Sequence, residues 1–472
     1  MRKILPLLSL SALAACTVGP DYDGPKTAGA VAAPAGFARA GDLSVAAPQV
    51  ADWWTTLNDP VLDALVARAL AENPSVDVAE ARLKQARAAL RLDRANGLPN
   101  GNVQGTYVRA ELPEGGLTGG EGESGGGGTA VDFYNVGFDA SWEIDLFGGQ
   151  RRRVEAARAG VAAAEAQVAD AQVSLTAEVA SAYVNLRDRQ RRLELGRQTA
   201  ETRRRMLALT EQRFRAGTAS QLDVERLRGL VVESDAAIVP INAERDAYLN
   251  ALAVLVGEAP GTLDGELAAI RPVPLPPAEV QVGDPTALLE RRPDVRAAER
   301  LLAQRSAQIG VAKAATLPRI SFLGLIGIGG TDPGDLFDLD SLAGLAVPRL
   351  TWNALDFGRG GARVGQAEGA RDEAAAQYRG AVLTALRDAE DALSRFAARR
   401  SAVANAARAT ATADRAATLM QQRYRAGVAT LIDTLDAERQ RTAAEQGLVE
   451  ATAAMTADYV ALQKALGLGW RG

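Results

Sequence analysis

Residues 149–213 read GQRRRVEAARAGVAAAEAQVADAQVSLTAEVASAYVNLRDRQRRLELGRQTAETRRRMLALTEQR, a run without proline. Val154, Val161, Val168, Leu175 and Ala182 recur every seven residues, Ala157, Ala164 and Ala171 follow three behind, and Val179, Leu186 and Leu193 continue a neighbouring seam. A seven-residue period belongs to helices that supercoil left-handedly against partners. At about 1.5 Å per residue this helix would be roughly 100 Å long, too long for one compact domain to cover its seam. Taken alone, the stretch also suits a long dimeric coiled coil.

The stretch occurs twice. Trp142, Phe147, Gly148, Arg213, Gly217 and Asp223 reappear 210 positions later as Trp352, Phe357, Gly358, Arg423, Gly427 and Asp433. Upstream, Pro74, Glu80, Leu98 and Pro99 reappear 219 positions later as Pro293, Glu299, Leu317 and Pro318. The first copy therefore holds nine extra residues between Pro99 and Trp142, where Glu111 to Thr129 is mostly Gly, Glu and Thr. Both rods end alike, with Arg213-Phe-Arg-Ala-Gly217 before Ser220-Gln-Leu-Asp223 and Arg423-Tyr-Arg-Ala-Gly427 before Thr430-Leu-Ile-Asp433. Arginine in a last turn, a following glycine and then Ser/Thr-x-x-Asp specify a helix stop, a tight turn and a capped restart. Each rod folds back on itself, giving helix hairpins over 149–256 and 359–466, with Pro240 kinking or splitting the first return.

Strand candidates precede each rod. Val136, Phe138, Ala140, Trp142 and Ile144 alternate with polar or small residues in a strand at about 133–145, and position rather than pattern suggests its partner at about 102–110. The second copy offers strands at about 319–329 and 342–352. About ten residues suffice to cross a bilayer when tilted, but four strands cannot close a barrel and lipid does not tolerate an open edge. Strands that cross therefore require an oligomer; a soluble sheet at one end of a coiled coil is the alternative.

The amino terminus has Arg2 and Lys3, an apolar run from Ile4 to Ala14, and Leu13-Ala-Ala-Cys16. This is a signal-peptide layout over 1–15 ending in a bacterial lipobox, with Cys16 as the residue to be lipidated. Residues 16–58 read as a lipidated, extended tether, and Asn58-Asp59-Pro60 opens the first repeat, 59–256. Pro260, Pro272, Pro274, Pro276 and Pro277 mark a linker over 257–285, the second repeat spans 286–466, and 467–472 form a tail.

The 472-residue chain is 47% hydrophobic, which excludes general disorder. It has no histidine and one cysteine, so a His/Cys metal site, a histidine-based triad and an internal disulfide are excluded. The glycine run Gly125 to Gly128 lacks the Lys-Ser/Thr of a phosphate loop. No enzyme is expected, and no cofactor beyond a covalent diacylglycerol and N-acyl chain on Cys16. Loss of Arg2 and Lys3 takes the net charge from −5 to −7, unsuited to nucleic acid.

Across nearly the whole mature chain, Cys16-Thr-Val-Gly-Pro-Asp-Tyr22, Trp53-Trp54, Ser141-Trp-Glu-Ile-Asp-Leu-Phe-Gly148, Leu252-Ala-Val-Leu-Val-Gly257, Glu290-Arg-Arg-Pro-Asp-Val-Arg296 and Ile309-Gly-Val-Ala-Lys-Ala314 follow one another in a family's order. The sequence resembles the TolC-like outer-membrane factors, in the lipidated branch that serves resistance–nodulation–division efflux pumps. The resemblance implies an α+β membrane protein: a homotrimer whose chains each give four strands to one 12-strand outer-membrane β-barrel, continued by a periplasmic α-helical barrel. It implies a passive exit duct for small molecules, in contact with outer-membrane lipid, a periplasmic membrane-fusion adaptor and an inner-membrane transporter.

Asp433 and Asp436, three apart on one helix face, match aspartates that ring the narrow periplasmic end in the family. Asp433 also completes a capping box with Thr430, as Asp223 does with Ser220, whereas Asp436 corresponds to Arg226 in the first copy. Ala429 stands where some members carry a gate-linking arginine. Arg215, Gly217, Arg425 and Gly427 resemble the helix tips that meet the adaptor, although both glycines also suit simple helix caps. The duct of a one-step protein secretion system and a lipid-anchored periplasmic spacer are the other readings.

Overall fold

The computed structural model describes residues 17–24, 34–41, 43, 46–112 and 129–471. The expected signal peptide, Cys16 and the glycine-rich loop 113–128 lie outside them. A 3-10 turn, Trp53–Leu57, precedes α1 (Pro60–Glu72), α2 (Pro74–Ala95), β1 (Asn100–Leu112), β2 (Thr129–Ile144), α3 (Gly149–Arg215) and α4 (Gln221–Leu255). Then come α5 (Pro285–Arg291), α6 (Pro293–Ala314), β3 (Arg319–Gly330), β4 (Leu342–Thr351), α7 (Arg359–Arg425) and α8 (Leu431–Ala465). The rods α3 and α7 have 67 residues each and the returns α4 and α8 have 35 each.

The chain forms two compact units. Of the described residues, the first comprises 17–24, 84–112, 129–162 and 299–376. It contains one antiparallel sheet in the order β1-β2-β3-β4. Partners across a ladder share a face, so the pairs Val103↔Phe138, Phe138↔Ile326 and Ile326↔Gly344 identify one side of the sheet. That side carries Val103, Tyr107, Val136, Phe138, Trp142, Phe322, Leu342 and Leu350, all exposed. The other carries Asn102, Gln104, Asn135, Asp139, Ser141, Ser321 and Arg349, joined in β3 and β4 by Leu323, Leu325, Leu345 and Val347. The Trp142 indole donates to the Gly97 carbonyl at 3.0 Å and the Trp352 indole to the Thr316 carbonyl at 3.2 Å. Gly97 and Thr316 are themselves 219 apart, so the same bond closes both hairpins.

Of the described residues, the second unit comprises 34–41, 43, 46–83, 163–298 and 377–471. Its core gathers Trp53, Leu62, Leu65, Tyr183, Leu186, Leu252, Phe396 and Tyr459. Trp53 stands edge-on to both Trp54 and Tyr459, with ring centroids 6.0 and 6.1 Å away. Asp59 is buried, caps α1 at the Val61 amide and accepts from the Tyr183 hydroxyl at 2.6 Å. Burial and the Asp59 hydrogen bond push the Tyr183 phenol well above its ordinary range. The end of the expected extended tether is therefore a core element, and the expected tail is docked too, with Leu468 buried and the Gly469 amide bonded to Val50. Arg292 gives the Glu290–Arg296 motif a structural role: its guanidinium reaches Asp294 and the last carbonyl of α8, Ala465, at 2.9 Å.

The rods do turn back. Arg203 donates to the Leu230 carbonyl and to Ser234, Arg228 pairs with Glu211, and in the second copy Thr410 reaches the Ala444 carbonyl and Arg399 pairs with Asp458. Of the two effects expected of Pro240, the split does not occur, because α4 runs unbroken through it. Proline removes its own amide and frees the carbonyl four residues back, and both Pro240 and Ala236 are exposed, so water can satisfy that oxygen. Gly257 and Gly427, at φ +80° and +77°, each follow a helix, but a Cβ on Gly257 would lie 2.5 Å from the Glu72 carbonyl oxygen, whereas Gly427 faces open space. In thermal melts of detergent-purified protein, Gly427→Ala is expected to cost about 1 kcal/mol from backbone strain alone. Gly257→Ala adds a backbone clash and should cost about 3 kcal/mol; equal losses would remove the contact with Glu72 from the argument.

Candidate functional site

The fold-back ends are built twice from the same local chemistry. After α3 the Thr218 amide returns to the Arg213 carbonyl at 2.8 Å and the Gly217 amide to Phe214 at 2.9 Å; Val428 and Gly427 repeat this on Arg423 and Tyr424, both at 3.0 Å. These bonds close the last turn around a left-handed glycine. Each return then starts in a capping box. The Thr430 hydroxyl accepts from the Asp433 amide at 3.2 Å, while the Asp433 carboxylate accepts from the Thr430 amide and hydroxyl at 3.1 and 2.6 Å. Ser220 and Asp223 do the same.

Both candidate gate carboxylates are exposed and both are engaged locally. Asp436 accepts from Arg439 and Gln440, each at 2.8 Å. The hydrogen bond from Thr430 holds the Asp433 carboxyl below its ordinary value of 3.8, and that from Arg439 does the same for Asp436. Asp436 and Arg439 also line a cavity of about 540 Å³ between α3, α4 and α8, together with Arg203, Arg226, Arg441, Glu438 and Glu445. Arginines thus accompany the acids, and the field at this end is less negative than two bare carboxylates per chain would make it.

A contact between the hairpins was not legible in the sequence. The Arg213 guanidinium lies 5.2 Å from the centre of the Tyr424 ring and donates to its hydroxyl. Ala429, where some family members carry an arginine, is half-buried. The only signal was that Tyr424 replaces Phe214 between otherwise matching tips. Arg215, Arg425 and the two glycines are exposed at the turns, and nothing lies within 4 Å of a Cβ at Gly217 or Gly427.

The segment after Cys16 has its own site in the first unit. Arg152 is 3% exposed, and its guanidinium donates to the Val18 and Gly19 carbonyls, both at 3.2 Å, to Asp21 at 2.6 Å and to Glu155 at 2.7 Å. Burial opposes its charge, but Glu155 and Asp21 outweigh it and hold the proton more tightly than usual. The Val18 amide bonds to the Phe147 carbonyl at 3.0 Å and Tyr22 donates to Glu299 at 2.7 Å. Gly19 and Gly310 meet so closely that a Cβ on Gly19 would lie 2.4 Å from the Gly310 Cα. The start of the expected extended tether is therefore clamped. Among the described residues no group of three or more His, Cys, Asp or Glu is placed to hold a metal, and no helix is long and apolar enough to cross a membrane.

The profile of the family described as Outer membrane efflux protein matches residues 65–258 and 285–468, one segment in each repeat. The chain is 33% identical to the outer membrane protein OprJ of Pseudomonas aeruginosa over 100% of this chain and 97% of that one. It is 30% identical to nodulation protein T of Rhizobium leguminosarum bv. trifolii over 99% and 97%. Among solved structures, the outer-membrane channel OprN superposes with a TM-score of 0.87 at 33% identity, covering 96% of this chain and 100% of that one.

The clamp yields a direct test. Arg152→Ala leaves the Val18 and Gly19 carbonyls without their donor, and hydrogen exchange at the Val18 amide is expected to accelerate at least about tenfold. Arg152→Lys, which keeps one donor and the charge, should recover part of the protection; unchanged exchange in Arg152→Ala would mean that the segment is held by other contacts.

Proposed function

The chain belongs to the outer membrane efflux protein family, and from that premise we propose that three copies close one twelve-strand barrel as the exit duct of a tripartite efflux pump. It is an outer-membrane efflux channel. The observation that carries the trimeric reading is the sheet: four strands of 10 to 16 residues, apolar on one face and largely polar on the other, with β1 and β4 left as open edges. Hydrocarbon accepts such a sheet only when every edge is paired. The apolar face then meets lipid, with Trp142 and Trp352 at its helix-side margin, and the polar face lines the duct.

The channel has no energy source of its own. Small molecules such as drugs or toxic compounds pass when the helical tips part, on engagement with a periplasmic adaptor and an inner-membrane transporter of the resistance–nodulation–division type. Arg215, Gly217, Arg425 and Gly427 are the adaptor-facing turns in this reading, supported by their exposure and by the open space at both glycines. Asp433 and Asp436 form a ring of six carboxylates at the narrow end. Cys16 carries the acyl chains, and its lipobox context supports that assignment.

Asp433→Asn with Asp436→Asn removes charge while leaving an acceptor for the Thr430 cap, and single-channel conductance in a planar bilayer should rise by about twofold or more. Unchanged conductance in a folded trimer would take both residues out of the gate. Both carboxyls are held below 3.8, so the stability that Asp433 lends the Thr430 cap and Asp436 lends its pairing with Arg439 is lost only as pH falls through their lowered values. Cation preference, read as a reversal potential, should therefore be flat from about pH 8 to 5 and collapse below about 3.8; a transition near neutral pH would point to other groups.

A further inference from the structure

The cavity between α3, α4 and α8 belongs to the first hairpin and has no counterpart in the second. Moving its α3 and α4 lining forward by 210 residues turns Leu195 into Asn405, Met206 into Ala416, Gly229 into Arg439 and Leu230 into Gln440. Both the apolar wall and the opening are lost in the copy. At about 540 Å³ the space falls within the range of small-molecule sites, about 300–1,000 Å³. Gly229 keeps it open: it stands inside α4, where glycine is a poor helix former, and a Cβ built on it would meet nothing within 4 Å.

The hydrogen-bonding capacity left free around this space is that of acceptors. Arg203 is engaged by the Leu230 carbonyl and Ser234, Arg439 by Asp436, and Arg441 by Glu438. The Thr199 and Thr202 hydroxyls donate to the Leu195 and Gln198 carbonyls, both at 2.9 Å, so each offers only lone pairs to a guest. Glu445 is half-buried and has no hydrogen bond or ion pair among the described residues. Arg226 has none either, but it is exposed and lies at the other end. It is the sixth residue of α4, whereas Glu445 is the fifteenth of α8, about 20 Å along that helix from its start. The Arg213–Tyr424 contact brings the two turns together, so Arg226 marks the tip side of the cavity and Glu445 the far side.

We propose that this cavity is a binding site for an amphipathic amine. Its ammonium group pairs with the Glu445 carboxylate, with the Thr199 oxygen as a second acceptor, and its apolar body lies along Met206, Leu230 and Leu435 toward the tips. Asp436 is nine residues, about 14 Å, from Glu445 along α8, which separates the ammonium position from the candidate gate carboxylates. Because α3 and α4 form one hairpin and α8 belongs to the other, a ligand here touches both. The site is complete within one chain, so it stands apart from the trimeric reading.

Dansylcadaverine, a primary ammonium joined by a pentyl chain to an environment-sensitive fluorophore, serves as the probe. Full-length protein in phosphatidylcholine nanodiscs is expected to bind it saturably, with blue-shifted emission once the signal of empty discs is subtracted. The analogue carrying a carboxylate in place of the ammonium should bind at least about tenfold more weakly. Glu445→Gln should weaken binding of the probe by at least about tenfold, and Gly229→Leu, which fills the space with a better helix former, should abolish it. Gly229→Ala, whose methyl meets nothing, and Glu450→Gln, at an exposed acid of α8 outside the lining, should bind as the unsubstituted protein does. Unchanged affinity in Glu445→Gln, or tighter binding of the carboxylate analogue, overturns the ammonium contact. Unchanged affinity in Gly229→Leu, or no saturable binding to protein of native helicity, overturns the cavity as the site; each of these results leaves the channel reading intact.

Discussion

Lipid offers no partner to a backbone amide or carbonyl, and this constraint governs the first unit. A four-stranded sheet satisfies its two inner strands and abandons the outer sides of β1 and β4. Neither edge shows a usual protective device along its whole length, such as a covering helix or a row of lysines. The sheet is therefore a fragment of a closed structure, and its alternation of apolar and polar faces states which solvent each side meets. Pro348 in β4 offers no amide, so the ladder lacks one donor at that position.

In the second unit the demands are those of water-soluble packing. Long helices gain little from propensity alone and depend on covered seams. Val179, Leu186 and Leu193 are fully buried, whereas Val168, and Val154 and Val161 on the part of the same rod that belongs to the first unit, are only half-covered within one chain. The unfilled half is what an assembly of copies would complete. Around the Trp53 core, Asp59 is buried with Tyr183 as its partner and Arg292 with Asp294 and the end of α8.

The parts legible in the sequence were those written in local code. Heptads gave the rods, Ser220-x-x-Asp223 and Thr430-x-x-Asp433 gave the restarts, and the alternation around Phe138 gave β2. The illegible parts join residues far apart: Arg152 and the Val18 carbonyl are 134 positions distant, Arg213 and Tyr424 are 211. No spacing rule links such pairs, because their proximity is produced by the fold. That Pro240 does not split α4 was illegible for a related reason, since its effect depends on whether the freed carbonyl faces solvent.

The equal lengths of the two rods and of the two returns have an evolutionary consequence. An insertion in one hairpin alone would leave one set of tips longer than the other in every copy. Drift in rod length must therefore be concerted, accepted in both halves of the gene or in neither, whereas the β1–β2 loop, free of that bond, has already drifted by nine residues. The duplicated chain polices its own dimensions, each half serving as the gauge for the other.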